Sequence, residues 1–213
     1  MINKLVENIT SQSNYISNVQ TYYNQVGNKY SRFRKYFWSE ARKFIDWTKT
    51  QFNSKPDKKI KFLDLGCGNG LYFQITTEYE SYGLDFSEKL ISISAKRYPY
   101  VNYVVANALD SPYPNSEFDI ILTVGLFQHL TDDQQIQLVR EVVRLLCPNG
   151  IAFISGMVDV SIIPEINGLV TYSNTLKHDL VLNYIKQLES NNIIKLIEIR
   201  NVKHSIIYLI TKL

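Results

Sequence analysis

Between residues 60 and 158 the chain alternates short apolar runs with amphipathic stretches. "IKFLDLG" (60–66), "SYGLDF" (81–86), "NYVVANA" (102–108), "FDIILTVG" (118–125) and "GIAFISGMV" (150–158) are β-branched, aromatic or leucine-rich and bounded by Gly, Asp, Asn or Ser, the pattern of buried strands. Between them lie "LYFQITTEY", "SEKLISISAKRY" with Ser87 placed to cap it, and "TDDQQIQLVREVVRLL". The last opens with a Thr131 to Gln134 capping-box spacing, sets Ile136, Val139, Val143 and Leu146 on one face, and stops at "CPNG". This order predicts βαβ units and a parallel sheet. Upstream, "WSEARKFIDWTKTQF" (38–52) gathers Ala41, Phe44, Ile45, Thr48 and Phe52 on one helical face. Downstream, "LKHDLVLNYIKQLESN" (176–191) predicts a helix, followed by "IIKLIEIRNV" and "SIIYLITKL" as a terminal strand pair.

Size and composition bound this picture. A chain of 213 residues that is 45% hydrophobic can bury one sizeable core, and no Pro/Gly/Ser linker or repeat interrupts it. The expectation is one α/β domain over residues 1–213, with 1–55 a basic helical lead-in. Only Cys67 and Cys147 carry thiols, "MINKLVENITSQSN" lacks the apolar core of a signal peptide, and no run reaches bilayer length. A soluble, cytoplasmic protein is therefore expected. The net charge of +3 hides an asymmetry: residues 29–61 hold 11 of the 23 Lys and Arg against Glu40, Asp46 and Asp57. Such a stripe either concentrates a polyanion beside a site or is a solvated helix face.

The chemistry begins at "FLDLGCGNGLYF" (62–73), where Gly66, Gly68 and Gly70 follow a strand and Asp64. Glycines at a strand-to-helix turn let main-chain N–H groups face a ligand without intervening Cβ atoms. Asp85 ends the second strand, where an acid either accepts the hydroxyl hydrogens of a ribose or caps the next helix. Asn107 follows the third, where an amide can pair with an adenine edge. A dinucleotide-dependent dehydrogenase also uses glycines and an acid here, but with a third glycine at another offset and a second catalytic half, which this chain lacks.

In sequence order, "LDLGCGNG", "GLDFS", "ANALDSPYPNSEFDIIL" and "EVVRLLCPNGIAFIS" resemble the successive motifs of class I S-adenosylmethionine-dependent methyltransferases, over about residues 60–156. The resemblance implies a Rossmann-like α/β fold: a seven-stranded, mostly parallel sheet with the last strand antiparallel and helices on both faces. It implies S-adenosyl-L-methionine as cofactor, held by Asp64, Gly66, Cys67, Gly68, Asn69, Gly70, Asp85, Phe86, Asn107, Ala108 and Val124.

A narrower resemblance concerns the acceptor. Tyr23, Asn24, Tyr30, Ser31, Arg32 and Trp38 in the lead-in, "GLFQHLTDDQQIQLVREVVRLL", and "TYSNTLKHDLVLNYIKQL" look like segments of the tRNA methyltransferases that esterify carboxymethyluridine at the wobble position. The chain departs from that family at Gln128 and Asn174, each in place of a His, and at Thr171 and Phe86, each in place of an Arg. The resemblance implies tRNA as substrate, with His129 retained from the family's His-His loop. Arg32 and Arg34 either pair with phosphate or carboxylate of the acceptor or are exposed surface charge. It also implies a small zinc-binding activator subunit pairing with the third-strand edge near Val101–Val105. The zinc would belong to that partner, since this chain has no paired CxxC motifs. A carboxylate acceptor, with a reference pKa of about 4, is ionised at pH 7 and needs no general base. His129 either orients the substrate or is hydrogen-bonded within its loop. Tyr22, Tyr23, Tyr30 and Trp38 either stack a base or pack. Two other readings stand beside this one: a small-molecule methyltransferase with the amino-terminal helices as a lid, and a cofactor-binding scaffold without turnover.

Overall fold

The computed structural model describes residues 12–33, 36, 38–52, 59–158 and 175–213, with the backbone alone for 12–16, 32 and 33. Two lead-in helices, α1 (Gln12–Phe33) and α2 (Ser39–Phe52), precede β1 (Lys61–Leu65), a 3₁₀ turn (Leu71–Ile75), β2 (Glu80–Asp85), α3 (Glu88–Arg97) and β3 (Asn102–Val105). There follow β4 (Phe118–Val124), a second 3₁₀ turn (Phe127–His129), α4 (Asp132–Leu145), β5 (Leu146–Met157), α5 (His178–Ser190), β6 (Ile194–Val202) and β7 (Ser205–Lys212).

The seven strands form one sheet in the order β3-β2-β1-β4-β5-β7-β6. β1 to β5 pair in parallel, and β7 runs antiparallel to both β5 and β6. This is the Rossmann-like methyltransferase sheet that the motifs imply. β1 and β4 are central and have no exposed residue, which is why their sequences are nearly continuous apolar runs. Successive side chains feed two cores. Leu63, Ile121, Ile154 and Tyr208 pack with Leu138 and Val142 of α4 and Val181 and Ile185 of α5. Phe62, Ile120 and Phe153 pack on the other face with Phe44 and Ile45 of α2 and Ile91 of α3.

Local signals set the helix starts. Thr131 Oγ1 accepts from Gln134 N at 3.4 Å while Gln134 Oε1 accepts from Thr131 N at 3.0 Å, completing the capping box of α4. Ser87 Oγ accepts from Leu90 N and caps α3. The helix expected in "LYFQITTEY" is instead a single 3₁₀ stretch of five residues. Its β-branched Ile75, Thr76 and Thr77 disfavour continuation. The Phe73 carbonyl, which a longer α-helix would pair with residue 77, accepts from Tyr100 Oη at 2.7 Å and from Thr76 N.

No helix follows β3 directly; residues 106–117 form a loop fastened to α4. Glu141 is buried and accepts from both Ser111 N and Ser111 Oγ, and Arg144 grips it with two nitrogens while also donating to the Tyr113 carbonyl. Burial raises the Glu141 carboxyl, but the hydrogen bonds from Arg144 and Ser111 outweigh it and hold the group below its ordinary value. Arg144→Ala leaves that carboxylate short of its cation, and urea unfolding should show a loss of about 2 kcal/mol, within the range for hydrogen bonds to charged groups.

Candidate nucleoside-binding site

The turn after β1 folds back on the end of β2. Gly66 N and Cys67 N both donate to the Leu84 carbonyl, at 2.8 and 2.9 Å, and Gly68 N donates to Asp85 Oδ2 at 2.9 Å. Ser87 N donates to Asp85 Oδ1, also at 2.9 Å. Each carboxylate oxygen thus holds one main-chain N–H and retains acceptor capacity. The glycines serve different ends. Gly68 has φ +53°, and a Cβ there would meet only ordinary contacts with Tyr30 and Leu90, so its backbone conformation is what requires glycine. A Cβ on Gly70 would lie 1.9 Å from Ser94 Oγ, so the close approach at that position is made by α3.

Next to this turn is a cavity of about 50 Å³ lined by Gly66, Asp85, Phe86, Asn107 and Ala108 from the strand ends, His129 and Leu130 after β4, and Val19 of α1. Asn107 Oδ1 accepts from Leu109 N at 3.0 Å, an Asx turn that uses the amide oxygen and leaves the NH₂ group to the ligand side of the chemistry. Burial raises the Asp85 carboxyl to about 6, against the pull of the Ser87 and Gly68 N–H groups. The Cys67 thiol is pushed well above its ordinary value, first by burial and then by Asp85 and Asp64, so it stays protonated and is no nucleophile.

Helix α1 is fastened onto this site. Gln20 Nε2 donates to the Phe86 carbonyl at 2.7 Å, and Asn24 Oδ1 accepts from Ser87 Oγ at 2.7 Å and from Lys89 N at 3.3 Å. Tyr23 Oη lies 3.0 Å from His129 Nε2 with the rings edge to face, and Tyr23 packs in the same manner on Tyr30. Tyr22 is buried. His129 therefore both lines the cavity and ties the loop after β4 to a helix more than a hundred residues away in sequence.

A second cavity, about 340 Å³, opens at the carboxyl ends of β4 and β5 and is lined by Tyr36, Trp38, Val124, Gln128, Ser155 and Met157, among others. Val124, implied as a cofactor contact, lies here and is not among the residues lining the nucleoside cavity. Asp64 and Asn69 are buried in and beneath the glycine turn. For Arg32 only the backbone is described, and Arg34, Thr171 and Asn174 lie outside the described residues. Val19, Leu126 and Leu130 line the nucleoside cavity without having been singled out in the sequence; they are apolar residues among many, and only the adjacency of Leu126 and Leu130 to the Gln128-His129 loop marked them. Among the described residues no group of three or more His, Cys, Asp or Glu is placed to hold a metal ion. No helix among them is long and apolar enough to cross a membrane.

The residues present fit an adenosyl cofactor: a buried acid with acceptor capacity where ribose hydroxyls would donate, an amide beside it, and apolar walls for a base. The N–H groups of Gly66, Cys67, Gly68 and Gly70, expected to face a ligand, donate instead to the Leu84 and Cys67 carbonyls and to Asp85, so the turn positions the acid rather than presenting donors of its own. Hydroxyl donors favour the carboxylate form of Asp85, so S-adenosylmethionine affinity should fall as the pH drops below about 6, by up to tenfold per unit. Calorimetry at pH 5 and pH 7.5 checks this. For folding the sign is opposite. The raised carboxyl favours the native state most fully below its ordinary value of 3.8, and that contribution is lost as the pH rises through about 6.

Residues 63–154 match the family described as a methyltransferase domain. The chain is 28% identical over 137 residues to the tRNA (carboxymethyluridine(34)-5-O)-methyltransferase of Saccharomyces cerevisiae, a match taking in 64% of this chain and 46% of that protein. It is 28% identical over 114 residues to a probable tRNA methyltransferase 9B of Mus musculus, taking in 53% of this chain and 23% of that one. The chain thus spans about half of the yeast relative's length and about a quarter of the mouse one's. In fold it is similar to a TehB-like SAM-dependent methyltransferase of Corynebacterium glutamicum, at a TM-score of 0.62 and 18% identity over 91% of this chain and 98% of that one.

Proposed function

We infer that this chain, which carries a class I S-adenosylmethionine-dependent methyltransferase domain, methylates the carboxylate of carboxymethyluridine at the tRNA wobble position to give the methyl ester. The observation that carries the reading is the seating of the lead-in helix. Tyr23 and Asn24, two of the residues that carry the narrower resemblance, bond to His129, which lines the nucleoside cavity, and to Ser87, which is hydrogen-bonded to the Asp85 carboxylate. The yeast relative, named for this reaction, supports the same substrate.

The bound cofactor supplies an electrophilic methyl group on its sulfonium. What the chain must add is position and dryness, because an in-line displacement by an ionised carboxylate needs alignment more than acid–base help. Asp85 and the Gly68 turn hold the nucleoside end, Asn107 and the apolar walls hold the base, and α1 covers them. His129, fixed by Tyr23, orients the acceptor, with Arg32 and Arg34 supplying cationic contacts to phosphate or carboxylate. Nucleoside mass spectrometry of tRNA incubated with the protein, its activator and S-adenosylmethionine should reveal the new methyl ester; tRNA left unmodified under conditions of measured cofactor binding would reject the reading. Asp85→Ala should weaken S-adenosylmethionine binding by about 1 to 3 kcal/mol, the loss expected for hydrogen bonds to a buried charged group, and unchanged calorimetric affinity in a folded variant would count against the ribose assignment.

The activator belongs to the same proposal. Among the described residues β3 pairs with β2 alone and so forms one edge of the sheet, with Val105 44% exposed and Val101 buried just before the strand start. An edge without lysine or proline invites an added strand. Ala106 N donates inward to the Asp85 carbonyl, and N–H directions alternate along a strand. The N–H of Val104 therefore also faces β2, and those of Tyr103 and Val105 face outward. Val104→Pro should damage the fold. Val105→Pro should leave the circular dichroism spectrum intact while abolishing co-purification with the zinc-binding subunit; retention of the subunit would remove this edge as its docking place.

A further inference from the structure

The second cavity collects features that cofactor binding does not use. Trp38 forms one wall, held edge-on against Phe153 with ring centroids 5.8 Å apart, so its indole is fixed before any ligand arrives. Tyr36 also lines the cavity and is 86% exposed, more than any other large hydrophobic side chain described. A ring left in water beside a fixed indole at a cavity rim is placed to stack on a planar ligand. Gln128 lines the same cavity, and its Oε1 is buried with no hydrogen-bond partner. A buried amide oxygen without a donor is costly and demands an explanation in a folded protein. The carboxamide presents a donor beside an acceptor, and rotation about its last bond exchanges them. Its natural complement is a planar ring bearing an N–H next to a carbonyl. None of the described lining residues is charged, so recognition there is by shape, stacking and hydrogen bonding, in a volume at the lower end of the range for small-molecule sites.

We propose that this cavity is the acceptor-base subsite and holds a uracil ring stacked on Trp38 and Tyr36, with the Gln128 carboxamide paired to the ring's N3–H and an adjacent carbonyl. The proposal rests on the RNA reading above and assigns its base recognition to three residues of this chain. It also gives a role to Gln128, one of the positions where the chain departs from the family it resembles: an amide that pairs with the imide edge through both of its polar atoms and does not titrate.

The chain has two tryptophans, and Trp47 packs beside Phe44, outside this cavity. Trp47→Phe therefore leaves one indole reporting on the subsite. In that background, with S-adenosylmethionine present, single-stranded oligouridylate should quench Trp38 emission. Tyr36→Ala and Gln128→Met should each weaken the titration roughly tenfold, the scale of one stacked base or one bidentate pair. An oligomer of N3-methyluridine, which lacks the donor, should lose a similar factor against Gln128 and nothing further against Gln128→Met. Cofactor affinity, measured by calorimetry on each variant, verifies that the fold is intact. The subsite is overturned by an absent quench in protein that binds S-adenosylmethionine, by oligoadenylate quenching as strongly as oligouridylate, or by N3-methyl and Gln128→Met losses that multiply. Failure of the wobble reading looks different: tRNA gains no methyl ester while the quench and its coupling to Gln128 persist, which supports the subsite.

Discussion

The carboxylate of Asp85 is the knot that the site depends on. One oxygen receives Gly68 N from the turn after β1, and the other receives Ser87 N from the start of α3. Ser87 in turn caps α3 through its hydroxyl oxygen and donates that hydroxyl to Asn24 of α1. A glycine turn, a strand end, a helix start and the lead-in helix therefore meet through two residues, Asp85 and Ser87. The carboxyl is buried, and burial raises it to about 6 despite both N–H donors. The chain tolerates an acid that is costly to ionise, and ligand hydroxyls would relieve part of that cost.

Around this knot the two faces of the sheet have different tasks. The face beneath α4 and α5 is a continuous apolar core, and the Glu141–Arg144 pair extends it by fastening the helix-free loop that carries Asn107. The other face, beneath α2 and α3, ends at the cavity where Trp38 stands against Phe153. The two cavities are thus separated between strand ends: residues at the ends of β1, β2 and β3 line one and residues at the ends of β4 and β5 the other, with the neighbours His129 and Gln128 lining different cavities.

How much of this was readable without coordinates depended on the range of the interaction. Thr131 with Gln134, Ser87 with Leu90, and the five apolar runs are local signals, and the structure has the capping box, the helix cap and the strands they imply. "LYFQITTEY" is shorter than the helix expected: its β-branched Ile75, Thr76 and Thr77 were a local signal against continuation, and the Tyr100 hydroxyl on the Phe73 carbonyl is a distant one. The same holds in the site. Asp85, Asn107 and His129 stood at strand ends and were legible, and they share a cavity. Val124, a cofactor contact implied by the resemblance, lines the other cavity, and Tyr36 gave no signal because an exposed tyrosine is ordinary until a wall such as Trp38 is seen beside it.

An ion pair between Glu40 of α2 and Arg200 of β6 joins residues 160 apart in sequence. Glu40 is buried at the start of α2 and accepts from Arg200, which Glu198 also holds. β7 must then enter between β5 and β6, antiparallel to both. Contacts of such sequence separation form only after a large loss of chain entropy, which slows folding. On the ribosome, where synthesis runs at about 5–20 residues per second, residue 40 emerges long before residue 200. For that interval Phe44, Ile45 and Phe52 have no completed sheet to cover, and the helix that will close one face of the sheet is itself in need of shelter.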